Sequence, residues 1–195
     1  MTAQFEATYA ITMKNEGGYA NNPNDRGGET WRGIARNFWG SWPGWKIVDQ
    51  IKQTNPASLN AALAANTQLE SLVLVFYKQN FWNPLRLDQI VCAQIANQLF
   101  DISVNSGTAR GAKMLQQAIN QFRGNNPIAV DGQVGPATLA AANSIGHQQL
   151  YNQINVLRAA FYNSIIQNNP SQAQFRNSWF SRIKPFVPES GATQA

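Results

Sequence analysis

Apolar side chains recur every three to four residues along most of this chain, a period that confines it to packed helices. The clearest stretch follows Ala57, where Leu69, Leu72, Val73, Phe76 and Tyr77 fall at core-facing spacing behind Thr67 and Glu70, which read as a capping box. A second helix is expected from Asp88 to Val104, with Val91, Ile95, Leu99 and Ile102 inward. Thr108 is expected to cap a third, carrying Leu115, Ala118, Ile119 and Phe122. Pro136 suits the first position of another, and Leu150, Ile154, Leu157, Phe161 and Ile165 mark one side of a longer helix beyond it. Asn169-Pro170 interrupts that run before a last helix with Phe175, Trp179 and Ile183. At the other end, a helix should begin after Thr2 and place Phe5, Tyr9, Thr12, Met13 and Glu16 on one side, stopped by a left-handed Gly17-Gly18. There are no repeats and little strand signal, so the expected class is all-α.

Residues 19 to 56 break the period. Asn21-Asn22-Pro23-Asn24-Asp25, Gly27-Gly28, Pro43-Gly44 and Pro56 read as loop, turn or short hairpin, and four tryptophans stand among them at 31, 39, 42 and 45. A long irregular segment in a compact chain is more often a working loop than a passive connection.

Composition narrows the class of partner. With 195 residues and 44% apolar side chains the chain can bury an ordinary core, and only 13% of residues are charged, so uncharged hydrogen-bonding groups must make up much of the surface. The formal charge of +5 favours an anionic partner. The basic residues are scattered singly from Lys14 to Lys184, which disfavours nucleic acid. The apolar run Leu72 to Phe76 is far short of the ~20 residues of a membrane helix. No secretory signal is recognisable at the N-terminus, so the chain is expected to be soluble and made in the cytoplasm. The one cysteine, Cys92, lies in an apolar stretch and reads as core, and the one histidine, His147, as a solvated helix start. Neither metal nor cofactor is expected.

Glu16 has the surroundings of a proton donor. It ends a mostly apolar helix face at the negative end of the helix dipole, and both burial and dipole favour its neutral form. That is the requirement for the acid of a glycoside hydrolase, which protonates the leaving oxygen while a second group handles water or the sugar. A solvated last residue before a glycine stop is the plain alternative. Asp25, Glu29 and Thr30 stand close behind it in a glycine-bracketed loop.

The run Glu16-Gly17-Gly18-Tyr19 through Asp25, Gly27-Gly28, Glu29-Thr30-Trp31 and Gly33-Ile34 resembles the N-terminal motif of the glycoside hydrolase family 108 muramidases. A second block, Phe100 to Gly107 with Val130 to Thr138, is similar to the predicted peptidoglycan-binding region that accompanies this family, and Phe175 to Arg182 to its closing pattern. Ala35 stands where Thr or Ser is common, and Ser178 where Gly often precedes the Trp.

The resemblance implies a lysozyme-like helical globule without metal or cofactor, cleaving the β-1,4 bond between N-acetylmuramic acid and N-acetylglucosamine, with bacterial peptidoglycan as its partner. The spacing of Glu16, Asp25 and Thr30 is also similar to that of phage-type lysozymes. It implies Glu16 as acid, Asp25 as base or stabiliser and Thr30 as the group that positions water, with inversion the expected outcome. Asp25 equally suits an Asx turn, Glu29 is open as a rival or as an ion-pair partner of Arg26 or Arg32, and Thr30 as a cap. Tyr19, Glu29 and Trp31 are candidate substrate contacts, with two of the four tryptophans expected to be exposed in a cleft. Asp101 and Asn105, one helical turn apart, either contact saccharide or brace their helix. Asp131 reads as a turn-maker.

One compact monomeric domain is expected over 1–195, with a catalytic-motif half at 1–85 and a peptidoglycan-binding half at 86–185, since no flexible linker divides them. Reaching the wall without a signal would need holin-dependent release, as for a phage endolysin, or a secretion apparatus with a cognate inhibitor in the producing cell. The rivals are a non-catalytic wall-binding module and a basic protein that binds nucleic acid.

Overall fold

The structure is a computed structural model that describes residues 2–13, 17–22 and 26–188. Among the described residues there are nine α-helices and one small three-stranded sheet, so the helical class holds. The chain divides into two compact units, Met1–Asn80 and Phe81–Ala195.

The first unit opens with helix α1, Ala3–Met13, which buries Phe5, Thr8, Thr12 and Met13. Strands β1 (Tyr19–Asn21), β2 (Glu29–Trp31) and β3 (Ile34–Ala35) follow as an antiparallel sheet in sequence order. Helices α2 (Gly44–Gln53), α3 (Leu59–Ala64) and α4 (Thr67–Tyr77) complete the unit, with α2 packed on both of the others. Its core gathers Phe5, Trp31, Ile34, Trp45, Val48, Leu63, Leu69 and Val73.

Two expectations for this unit are corrected. Residues 19–56 are not all turn and hairpin, because α2 lies within them and buries Trp45 and Val48 one turn apart. The capping box is not formed either. Asn66 is the N-cap of α4, its side-chain oxygen accepting the Leu69 N–H at 2.8 Å, so Thr67 is already helical and Glu70 turns instead to Arg32 at 3.2 Å.

A π-helical turn, Lys78–Trp82, spans the boundary. The second unit then runs through short 3-10 turns into α5 (Ala93–Ser106), α6 (Thr108–Asn120), α7 (Pro136–Ser144), α8 (His147–Asn168) and α9 (Arg176–Phe180). Helix α6 packs on α5, α7 and α8. Gly111 of α6 lies against Leu85, where a Cβ would fall 3.3 Å from Cδ1, while the Leu99 carbonyl of α5 would stand at an ordinary 3.6 Å.

Here too the boundaries move. Because α5 starts only at Ala93, Val91 precedes it and is 69% exposed instead of inward. Gly107, at φ +87°, is the N-cap that Thr108 was expected to be. On α8 the buried side chains are Leu150, Tyr151, Ile154, Arg158 and Tyr162, so the inward face leaves Leu157, Phe161 and Ile165 only half-buried. Cys92 is buried, and His147 opens α8 exposed, as read from the sequence. Asp131 does make a turn: its Oδ1 accepts from the Gln133 N–H at 2.8 Å and from Gln116 Nε2 at 2.7 Å.

Candidate active site

Glu16 and Asp25 lie outside the described residues; the segments on either side of them are defined. Gly18 explains one glycine of the Glu16-Gly17-Gly18-Tyr19 motif, and not by a left-handed turn. A Cβ at Gly18 would fall 2.1 Å from Asn60 Oδ1, the atom that accepts the Tyr19 N–H at 2.6 Å. The bare backbone therefore lets α3 hold the start of β1.

From there β1 pairs with β2 in the register Tyr19↔Trp31, Ala20↔Thr30 and Asn21↔Glu29. Strand β2 pairs with β3 across the two-residue turn Arg32-Gly33, where φ is +47° and +78°. Two positive φ values match the twist of a tight hairpin, but Arg32 has a Cβ that disfavours them. Tertiary contacts hold it: Tyr77 donates its hydroxyl to the Arg32 carbonyl at 2.8 Å, and the guanidinium pairs with Glu70. Burial pushes the Glu70 carboxyl above the ordinary range, against the pull of Arg32.

Glu29, at the start of β2, is the centre of the described site. Its Oε1 accepts from the Tyr19 hydroxyl at 2.7 Å and from Lys52 Nζ at 2.6 Å, and its Oε2 from Arg36 Nη1 at 2.6 Å. Arg36 also grips Asp49 through both nitrogens, at 2.7 and 2.6 Å. Burial would raise the Glu29 carboxyl, yet the bonds from Lys52, Arg36 and Tyr19 outweigh it and leave Glu29 below the usual carboxylate range. Burial and the Glu29 bond raise the Tyr19 phenol, so it stays a neutral donor. A carboxylate held ionised by three donors is a poor proton donor and a weak base. Glu29 thus ties β1 and β2 to α2, and its partners are Arg36 and Lys52 instead of Arg26 or Arg32.

Thr30 is half-buried in the middle of β2, its hydroxyl donating to the Gly28 carbonyl at 3.3 Å. Trp31, beside it, is 1% exposed and lies in the core with the Arg32 guanidinium 5.3 Å from its ring. Of the four tryptophans in this region only Trp39 is exposed, at 38%, where two were expected. The others are buried, Trp31 on β2 and Trp42 just before α2, where it meets Trp45 of that helix edge to face at 5.4 Å.

In the second unit Asn105 Nδ2 donates to the Asp101 carbonyl at 2.7 Å and more weakly to Oδ1 at 3.3 Å. Both Asp101 carboxylate oxygens take arginines, Oδ2 from Arg158 and Oδ1 from Arg182 at 2.8 Å. Arg158 is 1% exposed and also donates to the Tyr162 hydroxyl at 2.8 Å. This is the geometry of a brace joining α5 to α8.

Arg36, Asp49, Lys52 and Asn60 carry no motif that marks them in the sequence alone. Asp49 and Lys52 sit one turn apart on α2, a spacing that marks a shared face once the helix is known.

A family model described as glycosyl hydrolase 108 matches residues 9–107, just over half of the chain and all of the sheet. The chain belongs to the glycosyl hydrolase 108 family. A second model, described as a predicted peptidoglycan domain, matches residues 110–184 of this glycosyl hydrolase 108 protein. Its fold resembles the structure of Brucella abortus SagA, with a TM-score of 0.63 and 25% sequence identity, over 92% of this chain and 88% of that one. No curated protein matches it. Together the two family matches make this glycosyl hydrolase 108 protein a hydrolase of peptidoglycan. Among the described residues no helix is long and apolar enough to cross a membrane.

Proposed function

We propose that the protein is a lysozyme-type N-acetylmuramidase that hydrolyses the β-1,4 bond between N-acetylmuramic acid and N-acetylglucosamine. Glu16 protonates the glycosidic oxygen, Asp25 activates or stabilises, and Thr30 orients the attacking water, with inversion at the anomeric carbon. Inversion asks for carboxyl groups about 6.5 to 9.5 Å apart, with water between them. The site of action is the wall, in the periplasm or outside the producing cell, and the effect is bacteriolytic.

The braced hairpin carries this reading. Tyr19 follows Glu16 by three residues and Glu29 follows Asp25 by four, and these two anchors share a hydrogen bond of 2.7 Å. Both loop roots are therefore tied to one charge-balanced set, Glu29 and Arg36 with Asp49 and Lys52 of α2, the support that a catalytic constellation needs. Glu29 is committed to three donors, which favours Asp25 and Thr30 over it for handling water. The test is digestion of purified peptidoglycan followed by borohydride reduction of the new ends. Reduced muramic acid is the expected product; reduced glucosamine ends would make the protein a glucosaminidase, and no new ends a binding module.

A further inference from the structure

The turn before α2 and the solvent side of that helix line a shallow, largely open cavity of about 610 Å³. Ligand sites commonly measure roughly 300 to 1,000 Å³. Thr30, the described residue of the proposed hydrolysis, does not line this cavity. One part of its lining is the Arg36–Asp49 pair, in which each charge answers the other, and the Arg36 guanidinium lies 5.0 Å from the Trp45 ring centre. Lys46, Gln50 and Gln53 add a row from α2, spaced four and three residues apart and so on one helical face. Lys46 makes no ion pair among the described residues.

The lining thus offers one unanswered positive charge beside two side-chain amides. A saccharide site would be expected to present an open indole face, but Trp42 and Trp45 are 7% and 2% exposed. Amides and a lone cation instead complement a chain of peptide groups that ends in a carboxylate.

We propose that this cavity is a subsite for the acidic peptide stems of peptidoglycan, with Lys46 pairing a stem carboxylate and Gln50 and Gln53 bonding its amides. The proposal rests on peptidoglycan being the substrate. Arg36 connects the subsite to the hairpin, since its Nη1 bonds both Asp49 at 2.7 Å and Glu29 at 2.6 Å. A seated stem would hold the strand against the unit that carries β1 and β2.

The test titrates the full chain with three probes, following the Trp42 and Trp45 indole N–H signals by NMR. The probes are the free stem tetrapeptide, the same peptide with its carboxylates amidated, and an N-acetylglucosamine tetramer. The wild type should bind the free acid at least about tenfold more tightly than the amidated peptide, the loss expected for one charge-assisted hydrogen bond. Lys46→Gln should remove that preference and Lys46→Glu should abolish binding of the acid, while the tetramer behaves alike with all three proteins. Unchanged affinity in Lys46→Glu, no preference for the acid in wild type, or equal loss of the sugar would overturn the proposal. Binding is read here without turnover. Failure of the muramidase reading would appear only in the end-group analysis, and failure of the subsite only in these titrations.

Discussion

At the scale of single residues, two glutamates of the first unit respond to pH in opposite senses. Glu29 lies below its ordinary range because Lys52, Arg36 and Tyr19 overcome its burial. Its contribution is therefore complete above the unfolded carboxylate value of about 4.3 and disappears as pH falls through the lower folded value. Glu29→Gln should cost about 1–3 kcal/mol at neutral pH, with the two proteins converging in acid when denaturation is followed across pH. Glu70 lies above its ordinary range through burial, so the folded state favours its neutral form. That advantage is present below the unfolded value and is lost as pH rises through the folded one, so Glu70→Gln should gain on wild type as the buffer is made less acidic. A Glu29→Gln cost that persists in acid would contradict the first assignment, and a Glu70→Gln variant that gains nothing as pH rises the second. In the second unit, Asp101→Ala strands Arg158, which is 1% exposed, and should cost about 3–5 kcal/mol in denaturant unfolding. A cost near zero would show that Asp101 is not the brace.

At the scale of elements, the start of α4 separates two readings of the same residues. Asn66→Ala should cost about 1 kcal/mol by removing the bond to the Leu69 N–H, whereas Thr67→Ala should be nearly neutral. The reverse order would restore the capping box. Long helices were legible because α4, α6 and α8 each bury a face many residues long. Helix α2 was hidden behind Pro43 and Gly44, ordinary turn residues that here sit at its N-cap and first turn. Strands of two or three residues are too short for alternation to register, so the sheet could be anticipated only as hairpin turns. Arg158 is a buried cation that no hydrophobic period can reveal, because its place depends on Asp101 from another helix. The same limit applies to the Glu29 set: Tyr19 and Glu29 stood out in sequence, but Arg36, Asp49 and Lys52 gain meaning only when α2 folds against the hairpin.

At the scale of the whole molecule, the formal charge of +5 should draw the protein to an anionic wall through solvent. Screening shortens from about 30 Å at 0.01 M salt to about 3 Å at 1 M, so cosedimentation with intact walls should fall over that range. Salt-independent binding would assign the attraction to uncharged contacts. The family matches place glycoside hydrolysis and peptidoglycan in one chain, and the braced hairpin supplies rigid roots for the residues that follow Glu16. In the proposed hydrolysis Glu16 donates the proton. The most direct measurement is the initial rate at which wild type and Glu16→Gln release reduced muramic acid ends from purified peptidoglycan, with thermal unfolding confirming that both are folded. Loss of a general acid predicts a fall of about 100- to 10,000-fold for the variant. Equal rates from two folded proteins would remove Glu16 from the role of acid.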